Sequence, residues 1–214
     1  MKLVETTVAG FLGELASASP APGGGSAAAL CGAVAAALCG MVSRLTVGRE
    51  KYRGSWKDME EVGRDAETLR ERLAGLVDED AAAFLSVAAA RALPRGTEPE
   101  RDARGKAIAD AVLRSARAPL ETLKAAVSLA GLSARAVELG NPGCLSDAAS
   151  AAQAARASAF AAAYNVRVNL PSVADPSLRR RLAAETAEAL AAVREIVGGI
   201  EQAVEARMEG GSGA

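Results

Sequence analysis

The chain has 214 residues and a formal net charge of −1; half of its residues are hydrophobic, yet only 3% are aromatic. That length suits one domain, expected over 1–209 with a short flexible tail at 210–214, and the near-neutral charge gives no electrostatic reason to bind nucleic acid. There is no histidine, which excludes Ser-His-Asp and Cys-His catalysis and histidine zinc sites, so acid–base work falls to Asp, Glu, Lys, Cys or Tyr.

Alanine makes up for the missing aromatics and favours helices packed at short distances. Cys31, Cys39 and Cys144 are odd in number and lack metal-ligand spacing, so neither a disulfide framework nor a metal site is expected, and a reducing cytoplasm is. The N-terminus, with Glu5 and Glu14 around a short apolar run, makes a poor secretory signal.

Apolar residues at Val4, Val8, Phe11, Leu12 and Leu15 predict a short amphipathic first helix over 4–16. The stretch 20–52, PAPGGGSAAALCGAVAAALCGMVSRLTVGREKY, orders a rigid proline entry, three glycines, a small-residue helix and a basic exit. Ser26 reads as the helix N-cap, and 27–43 carries no charge, so this helix is a core element; its alanines and glycines make it only weakly lipophilic, and no membrane span is expected. The glycine run is a tight interhelical turn or a loop touching a ligand. It is not a Walker loop, because no Lys-Ser/Thr pair follows it. Arg49, Lys51, Arg53 and Lys57 form either a solvated linker or a dock for an anionic tail.

Ser55 is placed to cap a long helix over 56–93, closed by Pro94. Its apolar seam runs through Met59, Val62, Ala66, Leu69, Leu73 and Leu76 and resumes at Ala83 and Val87. Asp80 takes the seam position between. A carboxylate there is costly unless it is paired with an Arg, seated on a helix N-terminus, or used in chemistry. Thr97 and Glu100 form a capping box for the next helix, which Pro119 should kink or divide. Gly140-Asn141-Pro142-Gly143 is a turn. Ser146 then caps a second nearly uncharged helix, with Asp147 in its first turn as a dipole partner or a functional acid. Asn165 and Asn169 share a face of that helix, as structural ties or ligand contacts. Asp175-Pro176 opens a last long helix. No segment alternates like a strand, so the fold class is all-α, an antiparallel bundle of five to six long helices.

PGGGSAAAL with LTVGREKY, LVDEDAAAF, and ELGNPGCLSDAA with NVRVNL follow one another as in the cyclodeaminase/cyclohydrolase family, which the chain resembles from Val4 to about Asp175. The clearest local departure is Arg49-Glu50, where many relatives carry lysines. The resemblance implies a homodimeric helical bundle with its active site in a cleft at or near the dimer interface. It also implies a tetrahydrofolate substrate carrying a one-carbon unit, with or without a polyglutamate tail, and no cofactor beyond that substrate. The activity it implies is cyclodeamination, a lyase reaction, or cyclohydrolysis, a hydrolase one.

Asp80 or Asp147 is then the expected catalytic acid–base and charge stabiliser, because desolvation raises a carboxyl towards a useful range. Gly24, Gly25, Ser26, Asn141, Ser146, Asn165 and Asn169 are the expected contacts to the pterin or the reacting group, and Lys51 and Arg53 to the glutamate tail. The rival reading is a non-catalytic folate-binding or scaffolding helical dimer.

Overall fold

The helices start and stop where the sequence punctuates them. In the computed structural model, which describes residues 2–210, the elements are six α-helices joined by turns, with no strand among the described residues. The expected first helix is split into a 3-10 turn at Leu3–Glu5 and α1 at Val8–Leu15. Thr7, in extended conformation, accepts a hydrogen bond from the Gly10 N–H at 3.0 Å and starts the helix afresh. Only Phe11 of α1 is buried; Val8 and Leu12 face solvent.

Then come α2 at Gly24–Thr46, α3 at Trp56–Ala92, α4 at Glu98–Leu139, α5 at Leu145–Asn169 and α6 at Pro176–Gly210. The helix thus takes in Gly210, and the rest of the expected tail lies outside the described residues. The basic linker is a 3-10 turn at Glu50–Ser55, and Ser55 precedes α3 without a side-chain capping bond. Thr97 and Glu100 form the capping box, and Asp175 Oδ1 accepts from the Ser177 N–H at 2.8 Å in front of α6. Pro119 does not divide α4, which is helical throughout.

α2, α3, α4 and α5 form an up-and-down four-helix ring, and α6 covers the seam between α4 and α5. α2 is long and apolar enough to cross a membrane, but more than half of it is buried within the ring. Its glycines let neighbours come close: a Cβ on Gly32 would stand 2.9 Å from Ser158 Oγ and 3.0 Å from Leu73 Cδ2. Buried serines tie the helices, Ser43 donating to the Met59 carbonyl at 2.6 Å and Ser158 to that of Ala28 at 2.8 Å. Leu73, Leu123, Leu129 and Val193 fill the larger gaps of the main core.

The helices differ in length, and this positions the site. At 1.5 Å per residue α2 spans about 35 Å and α3 about 55 Å. Near Asp80 the α2 N-terminus has been reached, while α3 and its neighbour α4 continue. The overhang has its own small core of Val112, Val173 and Leu182, with Val87 and Ile108 packed against it. A ledge is left where α2 stops.

Candidate active site

The acidic run at 78–80 is sent in three directions, because successive helical residues point about 100° apart. Asp78 Oδ1 accepts the Leu3 N–H at 2.6 Å and holds down the N-terminal segment. Glu79 pairs with Arg72, which also binds Glu121. Asp80 turns towards α2 and the ledge. Its Oδ2 lies 3.1 Å from Ser26 Oγ, and the Ser26 backbone N–H also supports the carboxylate. Burial lifts the Asp80 carboxyl above its ordinary range, and the two Ser26 hydrogen bonds pull it part of the way back.

Ser26 is therefore not the N-cap of α2. Gly23 occupies that position, and Ser26, fully buried in the first turn, points its hydroxyl sideways at α3. That hydroxyl reaches both Asp80 Oδ2 and the Val77 carbonyl, at 2.9 Å, with a single proton to donate. The glycines make room for this contact. A Cβ on Gly25 would stand 2.1 Å from Asp80 Oδ1, and one on Gly24 would stand 3.3 Å from Asn165 Nδ2. Asp80 thus occupies the anion-binding end of α2, so the seat on a helix N-terminus and the place facing the ledge are both real.

The ledge is the mouth of a cleft of about 340 Å³, lined by Gly24, Gly25, Asp80, Phe84, Arg91, Ser115, Asn165, Val168 and Asn169 among others. The two asparagines are half-buried. Asn165 Nδ2 donates to the Ala161 carbonyl at 2.9 Å and Asn169 Nδ2 to that of Asn165 at 2.9 Å, so their carboxamide oxygens remain as acceptors. Asn169 Nδ2 also reaches the Ser115 carbonyl at 3.4 Å. Residue 119 would ordinarily donate its N–H to that carbonyl, but it is proline and has none. Asn169 substitutes for it, which makes this residue a structural tie as well as part of the cleft wall.

The remaining expected residues lie elsewhere. Asn141 is buried at the far end of α2, its Oδ1 accepting from Tyr52 Oη at 2.8 Å and from the Gly143 N–H at 3.0 Å, with Thr46 Oγ1 taking its own N–H at 2.9 Å. Every one of these contacts fastens the turn. Ser146 is not a cap: α5 starts at Leu145 behind Cys144, and Ser146 is exposed in the first turn. Asp147, half-buried, is there too and complements the dipole. Lys51 Nζ lies 5.5 Å from the Tyr52 ring centroid, and Arg53 pairs with Glu50 at 2.9 Å in solvent. Gly24 and Thr46 are the two ends of α2, about 33 Å apart along its axis. Within one chain the expected residues therefore form two groups: Gly24, Gly25, Ser26, Asp80, Asn165 and Asn169 at the cleft, and Lys51, Arg53, Asn141, Ser146 and Asp147 at the opposite end.

The model of the formiminotransferase-cyclodeaminase family matches residues 7–188. The chain belongs to the formiminotransferase-cyclodeaminase family. It is 36% identical over 169 residues to a Methylorubrum extorquens protein named methenyltetrahydrofolate cyclohydrolase, covering 79% of this chain and 81% of that one. It is 31% identical over 179 residues to the Mus musculus formimidoyltransferase-cyclodeaminase, covering 84% of this chain but 33% of the mouse protein. A crystal structure of formiminotetrahydrofolate cyclodeaminase from Thermotoga maritima superposes with a TM-score of 0.86 at 25% identity, covering 97% of this chain and all of that one.

Read as a formiminotransferase-cyclodeaminase family member, the sequence left out Phe84, Arg91 and Ser115 of the cleft wall, and Tyr52, whose hydroxyl orients Asn141. For Phe84 and Arg91 a signal existed, since they fall four and eleven residues after Asp80 on one helical face. Ser115 and Tyr52 had none.

Proposed function

We propose that this chain is a folate-dependent one-carbon enzyme acting on the bridge between the 5- and 10-nitrogens of tetrahydrofolate, as a formiminotetrahydrofolate cyclodeaminase or a methenyltetrahydrofolate cyclohydrolase. The observation that carries the reading is Asp80, a half-buried carboxyl raised by desolvation and facing a cleft in a chain of this family. In cyclodeamination N10 attacks the formimino carbon, and its proton is passed to the departing nitrogen. One further proton, from Asp80, completes ammonia, and the methenyl cation is left facing the newly formed carboxylate. In cyclohydrolysis the carboxylate takes a proton from water as its oxygen attacks the bridge carbon; the carboxyl then gives that proton to N5 as the C–N5 bond breaks, and the remaining hydroxyl proton is released to solvent as the formyl C=O forms, giving 10-formyltetrahydrofolate. Both routes need one carboxyl that moves between its two protonation states near neutral pH.

Ser26 suits that task. With Asp80 ionised, its hydroxyl donates to Oδ2; with Asp80 protonated, it accepts from the carboxyl and turns its own proton to the Val77 carbonyl. The carboxamide oxygens of Asn165 and Asn169 are acceptors for the amino and N–H donors of a pterin. Neither route changes an oxidation state, so no cofactor is invoked beyond the folate. The three free thiols, two of them buried, suit a reducing cytoplasm.

A homodimer is part of this proposal. On α2, Cys31, Val34, Ala37 and Leu45 are exposed on a largely apolar edge, and on α5 Tyr164 and Val168 continue the exposed apolar surface. A two-fold related copy lying antiparallel along this surface would cover it and bring its own 46–53 and 141–147 end towards the Asp80 cleft. That arrangement supports a role for Asp147, Asn141, Ser146, Lys51 and Arg53 that one chain alone does not offer. Val34→Arg is expected to shift the sedimentation coefficient from dimer to monomer and to lower turnover with it.

The deciding assay mixes purified protein with 5,10-methenyltetrahydrofolate, and separately with 5-formiminotetrahydrofolate, and follows methenyl absorbance against no-enzyme controls. A catalysed fall with the first identifies a cyclohydrolase; a catalysed rise with ammonia release from the second identifies a cyclodeaminase. Rates equal to the controls, with folate still bound, would sink the enzyme reading in favour of a binding module.

A further inference from the structure

Along α3, Asp80, Phe84, Val87 and Arg91 recur at i, i+4, i+7 and i+11, and an eleven-residue step brings Arg91 back to within about 20° of Asp80. All four line the cleft. The stripe has three chemical zones: a carboxylate at the inner end, an apolar middle, and a guanidinium at the outer end. Phe84 is 52% exposed, an unusual state for a phenylalanine in a helical bundle, and Val168 of α5, also exposed, lines the same cleft. The Arg91 guanidinium has no acidic partner among the described residues, although most arginines on the neighbouring part of α3 do. Its backbone carbonyl is held by Arg104, at 3.2 and 3.0 Å, so the end of α3 that presents it is tied to α4.

We infer that this stripe fixes the direction in which the substrate lies, with the one-carbon bridge at Asp80, the aminobenzoyl ring on Phe84 and Val87, and the glutamate α-carboxylate on Arg91. The inference rests on the folate reading above and makes Arg91 a specificity-determining residue. The reach agrees. Eleven residues rise about 16 Å, and a contact of roughly 3 Å at each end leaves about 10 Å. Standard bond lengths through the ring and amide sum to about 11 Å between the bridge carbon and the α-carboxylate, which bond angles shorten to a span of about 10 Å. An arginine also matches a carboxylate through two parallel hydrogen bonds, which a lysine cannot. Lys51 and Arg53, the cations expected to hold the tail, lie at the other end of α2 in this chain.

The test is calorimetric titration of wild type and Arg91→Ala with 5-formyltetrahydrofolate and with 5-formyltetrahydropteroate, which lacks the glutamate. Wild type is expected to bind the full compound about ten-fold more tightly, the effect of one charge-assisted pair. Arg91→Ala should abolish most of that preference while binding the truncated compound as wild type does, and Arg91→Lys should restore part of it. A preference that survives in Arg91→Ala overturns the inference and transfers the tail to Lys51 or Arg53 of a second copy; equal weakening of both ligands, or no glutamate preference in wild type, overturns it as well. Wild type that shows the preference but turns over neither one-carbon substrate overturns the enzymatic reading alone and leaves Arg91 in its role.

Discussion

Gly25→Ala separates a glycine kept for a neighbour's carboxylate from one kept for a turn. In the first turn of a helix, replacing glycine by alanine ordinarily stabilises a protein by about 0.5–1 kcal/mol, because the unfolded chain loses freedom and the helix gains propensity. Here the new methyl would stand 2.1 Å from Asp80 Oδ1 and 2.5 Å from both Cγ and Oδ2, where ordinary contact begins at 3.4 Å. The carboxylate has to retreat by more than 1 Å, which breaks its bonds to Ser26. The expected sign is therefore reversed, to a loss of about 1–3 kcal/mol from overpacking and a lost charge-assisted hydrogen bond. With Asp80→Ala already in place the collision is absent, and the same change should stabilise. Urea denaturation of the four proteins, at one protomer concentration because any dimer links stability to concentration, measures the coupling. If Gly25→Ala stabilises the wild type as much as it does the Asp80→Ala protein, the account of the glycine run is wrong.

Ser26→Ala removes a donor that pulls the Asp80 carboxyl down, so in the direction that uses the ionised carboxylate the acid limb of the kcat/KM profile should move to higher pH. An unmoved limb would mean that the hydroxyl gives its proton only to the Val77 carbonyl. Asp80→Asn should fold and lose about 10²–10⁴ of turnover. Because the folded carboxyl is raised above its ordinary 3.8, folding favours the protonated form. The stability of wild type relative to Asp80→Asn should be greatest below that value and should be lost as the pH rises through the raised one, which denaturation from about pH 3 to about pH 8 would reveal. Asn169→Ala leaves the Ser115 carbonyl without a donor and should cost about 1 kcal/mol; in a Pro119→Ala background, where the backbone N–H returns, the cost should shrink.

What could be read from the sequence was whatever local chemistry decides. The capping box at Thr97 and the Asp175-Pro176 start are short-range signals and lie where they were expected; the α3 seam holds from Met59 to Leu76, beyond which the buried line shifts to Val77, Ala81 and Ala90 and leaves Ala83 and Val87 half-buried. The seam pointed to Asp80 by leaving its position empty of apolar atoms. Ser26 was misread for an instructive reason. A serine after glycines at the start of a helix has the composition of an N-cap, but α2 begins three residues earlier because Gly23 can supply the cap position without a side chain. Which group Ser26 would meet depended on α3 returning 51 residues later, at Val77 and 54 later at Asp80. The same distance dependence hid the division of the expected site into two ends: motifs adjacent in a list are set apart by the length of the helix between them. Asn169 illustrates the remaining gap. Its tie to Ser115 follows from a proline four residues beyond Ser115, on a different helix from the asparagine.

The wall that α2 and its cap give the cleft is made of Gly23, Gly24 and Gly25. Glycine has no side chain to order on folding and none to exchange afterwards, so this wall is ordered by its backbone alone. Protein interiors usually adapt to a new ligand by trimming a large side chain or turning one aside, and neither move exists here. A methyl added at Gly25 meets Asp80 at once and one at Gly24 crowds Asn165, and neither glycine has anything to cut away. Divergence of substrate preference in this chain is therefore confined to the opposite side, where Phe84, Arg91 and Val168 can change size or charge while the helix carrying the Asp80 seat keeps its register.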